Sequence, residues 1–474
     1  MKLKLWFMLV SAVLAIGLCS PAFAFHSGGV ADCDGCHSMH NTPNAAVTGG
    51  APGSTTGGPF LLAGSDQSST CLNCHASNAT TPSSYHIMTW PFAGGTNVAA
   101  VPVNRTPGGD FAWLLLNFTY TSHGSSTSNP GGGHGHNIIA ADYGMSNLSG
   151  YTTAPGGGSF VAANLHCNSC HDPHNKLRRD SGGNIDSMVG NVTQTLPIIG
   201  SGSYPSSVPG ATGATVGVTA PGPNQAVGVY RLLAGYSTYS AAGQTISYSG
   251  VPIAIAPSTY NQTEATNQVR VAYGNGTGTN METWGAWCGT CHPNMLSGIG
   301  NHYHPVDANA VLSSGNEQTN YNSYVGSGNM TGNSLTAYQS LVPFMMGGAT
   351  AGGPAWTGLA GAADNTGTVV AAKAGPGSYD QASCLSCHRA HASGWRDALR
   401  WNMQGEFITY VTSSGTATWP GTDTTGSNPS FADGMLSTQV QAAYYDRTVV
   451  TTPSGPTQFA AFQRSLCNKC HAQD

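Results

Sequence analysis

The sequence contains few charged side chains. Asp, Glu, Lys and Arg together make up 7% of its 474 residues, against roughly a quarter in an average soluble protein. The formal net charge is −5, so the chain has no basic stripe, which argues against a nucleic-acid partner. After the first 24 residues no apolar run approaches spanning length, so no membrane span is expected in the mature chain.

Strong helix formers are also scarce, whereas residues that interrupt regular structure are abundant. With 64 glycines and 27 prolines, the chain has many places where a helix or strand must stop. This composition predicts a mostly irregular, coil-rich chain with few short helices and short strands. A conventional packed core looks hard to build from it, so something else must supply buried apolar area.

Local patterns place the few regular elements. Short helices are expected at 331–346, 433–445 and 457–470. Short strands are expected at 110–118, 227–233, 267–273 and 406–412. Exposed Gly/Ser/Thr-rich loops are expected at 45–58, 201–224 and 347–378.

The N-terminal segment, residues 1–24, has the pattern of an export signal. Lys2 and Lys4 precede an apolar run at 5–18, and "PAFA" then offers small residues spaced for cleavage. A membrane anchor is the alternative, but the apolar run is too short and no stop-transfer charges follow. Lipidation at Cys19 is disfavoured by the bulky leucine before it. The mature chain, 25–474, is therefore expected to be secreted.

The remaining cysteines decide the class. Of 13 cysteines, all but Cys19 fall into six Cys-x-x-Cys-His groups: CDGCH at 33, CLNCH at 71, CNSCH at 167, CGTCH at 288, CLSCH at 384 and CNKCH at 467. Disulfides, zinc or iron–sulfur ligation would also explain paired cysteines, but none of these requires a histidine at the next position every time. Six repetitions indicate covalent c-type haem.

The spacing suits that chemistry. Two cysteines one helical turn apart can each add to a vinyl group of one haem, and the adjacent imidazole then points at the iron. The thioether cysteines are Cys33, Cys36, Cys71, Cys74, Cys167, Cys170, Cys288, Cys291, Cys384, Cys387, Cys467 and Cys470. The proximal iron ligands are His37, His75, His171, His292, His388 and His471. Six flat apolar macrocycles would also act as the core that the sequence lacks.

The second axial position of each iron determines what the haem can do. Eleven further histidines are available for six distal sites, so every iron can be bis-histidine ligated, and methionine, which mostly packs, is not needed. Such saturation favours electron transfer over catalysis. The preferred distal candidates are His26, His40, His86, His136, His166, His174, His304 and His391. The weaker ones, expected to be solvent-exposed, are His123, His134 and His302.

Two features suggest how the haems are arranged. A histidine three residues after a proximal one, as in His40, His174 and His391, cannot readily fold back to the other face of the same haem. It more plausibly ligates a neighbouring haem. The motif spacing is too uneven for a tandem repeat, so a single domain winding around a continuous chain of six haems is expected.

Longer stretches carry a resemblance to a known family. "FHSGGVADCDGCHSMH", "LHCNSCHDPH", "APSTYNQTEATNQVRVAYG", "CLSCHRAHASG" and "FQRSLCNKCHAQD" occur in this order across the mature chain. They resemble the outer-surface hexahaem cytochromes of the S type from metal-reducing bacteria, which form extracellular nanowires. The sequence departs from that pattern in longer insertions near 205–224 and 347–378 and in the spacing of "CHPNMLSGIGNHYHP".

The resemblance implies a homopolymeric filament that carries electrons to metal oxides, electrodes or partner cells. It also implies that His40 ligates a haem of the next protomer, the one whose proximal ligand is His388. Other multihaem cytochromes would be its redox partners. The alternatives are a multihaem reductase of a small oxyanion or metal ion, which would need a five-coordinate haem, and a monomeric electron shuttle, which differs only in assembly.

Overall fold

The computed structural model describes part of the chain. The described residues are 33–37, 59–77, 86–122, 124–146, 150–171, 235–241, 244–250, 253–255, 272–274, 284–295, 306, 312, 316–333, 336–338, 342–346, 375–377, 380–422, 431–453 and 458–471.

Regular elements in these ranges are short. The α-helices are α1 Cys33–Cys36, α2 Gln67–His75, α3 Trp284–Gly289, α4 Glu317–Ser323, α5 Cys384–Cys387, α6 Ser437–Ala443 and α7 Leu466–His471. The strands are β1 Gly95–Thr96, β2 Leu116–Ser122, β3 Ser125–Asn129, β4 Gly235–Ala241, β5 Gln244–Gly250, β6 Ile253–Ile255, β7 Ala272–Gly274, β8 Met345–Met346, β9 Tyr410–Val411, β10 Ala417–Thr418, β11 Thr448–Val449 and β12 Gln458–Phe459. Most other described residues lie in turns, single 3-10 turns or irregular backbone, which confirms the predicted fold class.

The strands form small sheets with mixed directions. Strand β2 pairs with β1 in parallel and with β3 antiparallel, from Phe118 opposite Asn129 to Ser122 opposite Ser125. Strands β4 and β5 form an antiparallel hairpin, and β7 lies between β6 (antiparallel) and β8 (parallel). Strands β9 and β10 pair antiparallel and β11 pairs with β12 in parallel. None of these sheets is large enough to organise the described part of the fold alone.

The element predictions are partly confirmed. Helix α6 lies inside the predicted 433–445, and strand β7 contains the described end of 267–273. The segment 110–118 begins as a 3-10 turn, Phe111–Leu115, and becomes strand β2 only afterwards. Of 406–412, only β9 is a strand. The predictions at 45–58, 201–224, 227–233 and most of 347–378 lie outside the described residues.

One helix prediction is wrong for the described residues, and another is confirmed only at its C-terminal end. The segment 331–346 ends in strand β8, where Met345 exchanges both backbone hydrogen bonds with Gln381 at 2.9 Å. The segment 457–470 begins with strand β12 and is helical only from Leu466. Met345 pairs with a segment 36 residues later and β12 with β11, ten residues earlier, and intrinsic helix preference carries no information about such pairing.

Buried aromatic rings form the centre of a substantial core. Trp419 stacks on Tyr444 with ring centroids 4.8 Å apart and planes 6° from parallel, and Phe459 packs against both. The hydrophobic cluster runs in sequence from Leu72 to Leu466. Composition underestimated this core, because each aromatic side chain buries some 150–250 Å², and a few rings compensate for many glycines.

Asp110 fixes the loops that precede strand β2. Its buried carboxylate accepts hydrogen bonds from the backbone N–H groups of Thr89, Asn104 and Ala112 at 2.9, 3.1 and 2.9 Å. It also accepts from the Thr89 hydroxyl and, at 3.0 Å, from the Asn104 amide. One carboxylate thereby satisfies five donors, which holds the irregular chain between 86 and 112 in a single conformation.

Lys469 joins the last helix to α4. Its buried ammonium donates to the carbonyl oxygen atoms of Tyr321 and Tyr324 at 2.9 and 3.3 Å. It lies 4.0 Å from the Tyr321 ring centroid and 4.9 Å from that of Tyr338. Burial lowers the pKa of Lys469 well below its ordinary value. The Lys469 side chain thus donates to the carbonyl group of Tyr321 in the last turn of α4, which has no partner inside the helix, and to that of Tyr324, which follows the helix.

No helix among the described residues has the length and apolarity that a membrane span requires.

Candidate haem sites

Each described Cys-x-x-Cys-His group lies on a short helical turn. In the third, fourth and fifth groups the histidine N–H donates to the carbonyl oxygen of the first cysteine, at 3.0, 3.0 and 2.8 Å. The second and sixth groups lie at the ends of α2 and α7. Because residues three apart in a helical turn share a face, both cysteines are presented to the same side.

Side-chain and backbone caps start two of these turns. Asp66 accepts a hydrogen bond from the backbone N–H of Ser69 at 2.8 Å and begins helix α2. Ser383 begins helix α5, and its N–H donates to the Ser386 hydroxyl at 3.0 Å. Such caps stabilise helices too short to persist alone, so the groups are pre-formed locally.

The thiols of the first three groups lie close together. The Cys71 thiol donates a hydrogen bond to the Cys167 sulfur, which raises the pKa of Cys71 well above its ordinary value and lowers that of Cys167. Cys36 lies near enough to raise the pKa of Cys71 further. Sulfurs attached to haem are thioethers and do not titrate, so what persists after attachment is this proximity.

The later groups also adjoin one another. Burial, followed by the nearby Cys291, raises the pKa of Cys170 to about 12. Burial, followed by Cys384 and then Cys470, raises the pKa of Cys387 to about 12. The third group therefore adjoins the fourth, and the fifth adjoins the sixth.

His136 and His292 face each other across a gap of metal-binding size. Their ring centroids are 6.0 Å apart with planes inclined at 44°. Metal–imidazole bonds are about 2.0–2.1 Å, so two imidazoles on opposite sides of one metal ion have centroids about 6 Å apart. Nδ1 of His136 donates to the Ala390 carbonyl oxygen at 2.6 Å, and Nδ1 of His292 to that of Pro155 at 2.8 Å. The other nitrogen of each ring is thus left for a metal.

The same His136 connects the fourth group to the fifth. Burial lowers its pKa, and the nearby imidazoles of His292 and His388 lower it further. Nδ1 of His388 donates to the Asp397 carbonyl oxygen at 2.6 Å. Of the described histidines, none faces the His388 ring as His136 faces His292.

His171 and His391 form a second facing pair. Their ring centroids are 6.3 Å apart with planes inclined at 63°. His391 follows His388 by three residues, yet the chain path places it beside the third group. Burial, followed by the nearby His171, lowers the pKa of His391 to about 3, so its ring is neutral and able to ligate a metal at physiological pH.

Two further distal candidates, His86 and His166, lie beside the early groups. The Ile87 N–H donates to the His75 carbonyl oxygen at 2.8 Å, and His75 lowers the pKa of His86 after burial has done so. Nδ1 of His37 donates to the Phe60 carbonyl oxygen at 3.0 Å, and that of His166 donates to the Ile139 carbonyl oxygen at 3.1 Å.

Several predicted site residues are not placed. His26, His40, His174 and His304 lie outside the described residues, as do the weaker candidates His123 and His302. Helix α1 includes Cys33, of whose side chain nothing is described.

The expectation for His134 is wrong. This side chain is fully buried, stacks on Phe118 at 6.1 Å, and places Nε2 2.8 Å from the Asn129 side-chain oxygen. Burial lowers its pKa to about 3. Composition suggested exposure because the surrounding "GGGHGHN" has few apolar residues, but the long-range packing of strand β2 covers it.

Three arginines near the fifth group were missed by sequence reasoning. Arg389, Arg400 and Arg447 are buried and line one small cavity together with Tyr444, Tyr445 and Phe459. The Arg389 guanidinium lies 3.6 Å from the Tyr445 ring centroid. No residue lining this cavity is acidic, and buried guanidinium groups pair well with carboxylates, which haem carries. The clustering of arginines in a chain with so few cations was the available signal.

The donor set suits haem better than a bare metal ion. Among the described residues, no group of three or more His, Cys, Asp and Glu side chains converges as a metal site would require. Imidazoles instead meet in twos, beside paired thiols. An iron that already has four porphyrin nitrogens needs two axial ligands of this kind. Such an arrangement is that of a c-type cytochrome.

Comparison with known proteins identifies the family. The chain is 43% identical over 470 residues to the C-type cytochrome OmcS of Geobacter sulfurreducens, covering 98% of each chain. Its fold is similar to two solved structures, the Outer Membrane Cytochrome S Filament and the OmcS nanowires of Geobacter sulfurreducens. In each case the TM-score is 0.68 with 39% identity, over 95% of this chain and 100% of the other. No protein-family model matches. The chain belongs to the OmcS family of c-type cytochromes.

Proposed function

We propose that this chain carries electrons outside the cell through six covalently bound, bis-histidine haem c groups and polymerises into conductive filaments. The observation that carries this proposal is the juxtaposition of successive cysteine groups with facing imidazoles from distant segments. Membership of a family whose solved members are filaments supports the assembly. The acceptors would be metal oxides, electrodes or partner cells, with other multihaem cytochromes as donors.

In this proposal the described residues divide into holding and ligating roles. The cysteines of each group attach a haem, and the following histidine ligates its iron from one side. His86, His391 and His136 supply the opposite ligand for the groups of His75, His171 and His292. Haem supplies a reversible one-electron change at iron.

In this proposal the protein orients the imidazole ligands and keeps substrates away from the iron. Carbonyl acceptors on Nδ1 of His136, His292 and His388 fix each ring and leave Nε2 toward the iron. With both axial positions occupied, no substrate can bind the iron, so the chain is proposed to be an electron-transfer protein and not an enzyme. Arg389, Arg400 and Arg447 would neutralise haem carboxylates.

The joint between protomers is assigned to His40. In the proposal it ligates the iron whose proximal ligand is His388 in the next molecule. The basis is the resemblance together with the count of imidazoles against irons. His26, His166, His174 and His304 remain as candidates for the other irons, two more than the distal sites require.

His40→Ala tests the proposal, with His123→Ala as a matched control outside the distal set. We expect His40→Ala protein to be secreted with six haems but to remain monomeric by electron microscopy, with one weakly ligated iron in its oxidised spectrum. His123→Ala should form normal filaments. Unchanged filaments in His40→Ala would refute ligation between protomers.

A separate measurement tests the electron-transfer role. The oxidised native protein should be entirely low-spin and should not bind cyanide or nitrite at equilibrium. A high-spin fraction that accounts for one iron per chain would instead indicate a reductase.

A further inference from the structure

His391 differs from His136 and His292 in its second ring nitrogen. Its Nδ1 atom is buried, and no hydrogen-bond acceptor for it lies among the described residues. By contrast, Nδ1 of His136 donates to the Ala390 carbonyl oxygen at 2.6 Å, and Nδ1 of His292 to that of Pro155 at 2.8 Å. The two facing pairs therefore have similar ring separations but different hydrogen bonding.

Packing holds the His391 ring where a hydrogen bond would otherwise do so. Phe111 stacks on it with centroids 4.8 Å apart and planes 24° from parallel. The backbone of Gly108 approaches closely, because its carbonyl oxygen accepts a hydrogen bond from the backbone N–H of His391 at 2.8 Å. A Cβ added to Gly108 would lie 2.7 Å from Nδ1, 3.0 Å from Cε1 and 3.1 Å from Cγ. These nearly equal distances place Gly108 over the ring face and not along the N–H direction.

The lack of an acceptor for His391 Nδ1 among the described residues has an electronic consequence. An acceptor on the outer N–H of a metal-bound imidazole makes the ring more basic, and the ring then stabilises the more highly charged iron. Hydrogen bonding of this kind is one of the means by which a protein sets haem potential. An imidazole whose outer N–H has no acceptor donates less electron density to the iron. It therefore favours the reduced iron.

Resting on the haem ligation proposed above, we propose that the site of His171 and His391 has a higher reduction potential than the site of His136 and His292. The step concerned is a one-electron reduction by a neighbouring haem, in which no bond breaks and no proton moves. His391 sets the potential because no described residue accepts a hydrogen bond from its Nδ1, and Gly108 and Phe111 position it. Electrons would therefore dwell at this point of the relay.

Two matched variants assign the potentials. His391→Met and His136→Met each convert one haem to histidine–methionine ligation, so each removes one component from the wild-type redox titration and one low-spin signal from its electron paramagnetic resonance spectrum. We expect the component lost in His391→Met to titrate above the one lost in His136→Met. At an applied potential between these two values, the ratio of reduced to oxidised haem at the His391 site should be at least ten times the ratio at the His136 site. This corresponds to a difference of about 59 mV in the reduction potential for one electron.

Several outcomes overturn the inference. It fails if the His391 component titrates at or below the His136 component. It also fails if His391→Met leaves all haem signals unchanged, because His391 is then not a ligand. Neither outcome affects filament formation, whereas failure of the proposed function would appear in the wild type as monomers or high-spin haem.

A measurement on wild-type filaments does not depend on the variants folding. Solid-state nuclear magnetic resonance of reduced filaments labelled with ¹⁵N-histidine reports hydrogen bonding at each ring N–H. The His391 ring is identified by its correlation with Phe111, which stacks on it. We expect its Nδ1–H to lack the shift of a hydrogen-bonded proton, and a hydrogen-bonded Nδ1–H there would contradict the inference.

Discussion

Asp110→Asn offers the sharpest test of how an irregular chain is held in one conformation. The substitution keeps the shape of the side chain but replaces one acceptor oxygen with an NH₂ group. If the amide nitrogen takes the place of Oδ1, it faces the N–H groups of Thr89 and Ala112, both of which donate to that atom at 2.9 Å. If it takes the place of Oδ2, it faces three donors, from Thr89 and Asn104.

The better orientation therefore leaves two buried backbone donors without an acceptor. Each costs about 1–3 kcal/mol, so the free energy of unfolding should fall by ~3 kcal/mol. Chemical denaturation, followed by the loss of low-spin haem absorption and of near-ultraviolet circular dichroism, measures this change. The folded Asp110→Asn protein should still show bis-histidine spectra, since Asp110 contacts none of the candidate ligands.

Asp142→Asn is the matched control. Among the described residues Asp142 accepts only from the backbone N–H and hydroxyl of Ser65, at 2.9 and 2.5 Å, and it is half-buried. Water can replace these bonds, so a loss below about 1 kcal/mol is expected. Equal losses in the two variants, or a loss below ~1 kcal/mol for Asp110→Asn, would refute the idea that buried donors around one carboxylate stabilise these loops.

Three further perturbations follow from buried groups. His134 has its pKa lowered to about 3 by burial while the unfolded value is about 6.5, so the unfolded chain binds the extra proton. The contribution of His134 to the free energy of unfolding is full above about pH 6.5 and falls by about 2 kcal/mol at pH 5. In denaturation measured at a series of pH values, His134→Phe should flatten this dependence, and an unchanged slope would contradict the assignment. Gly108→Ala should cost about 1–3 kcal/mol through overpacking against His391 and alter one low-spin haem signal, whereas Gly133→Ala, with open space around its Cβ, should change neither. Lys469→Ala should cost ~3 kcal/mol in denaturation, because a buried ammonium is lost together with its carbonyl and ring contacts; a change below ~1 kcal/mol would show that these contacts contribute nothing net.

The sequence predicts haem attachment sites because the chemistry of attachment is local. Both cysteines and the proximal histidine must lie within one helical turn, as Cys384 and His388 do, and each described group forms such a turn. The fold class followed in the same way, because glycine and proline limit the length of every element whatever the tertiary structure.

Which imidazoles face each other could not be predicted, because it depends on where distant segments meet. His391 follows His388 by three residues but faces His171, and His136 faces His292 from the other half of the chain. The burial of His134 and the strand at Met345 are likewise results of long-range packing, as is the lack of an acceptor for His391 among the described residues.

The sequence alone therefore predicted which residues attach haem and supply its proximal ligand, since those residues must be neighbours in the chain. Only the tertiary structure decided which imidazoles face each other and which carbonyl oxygen, if any, each ring meets. Two imidazoles that share one metal ion must lie about 6 Å apart, and only long-range packing can bring residues more than a hundred positions apart to that distance.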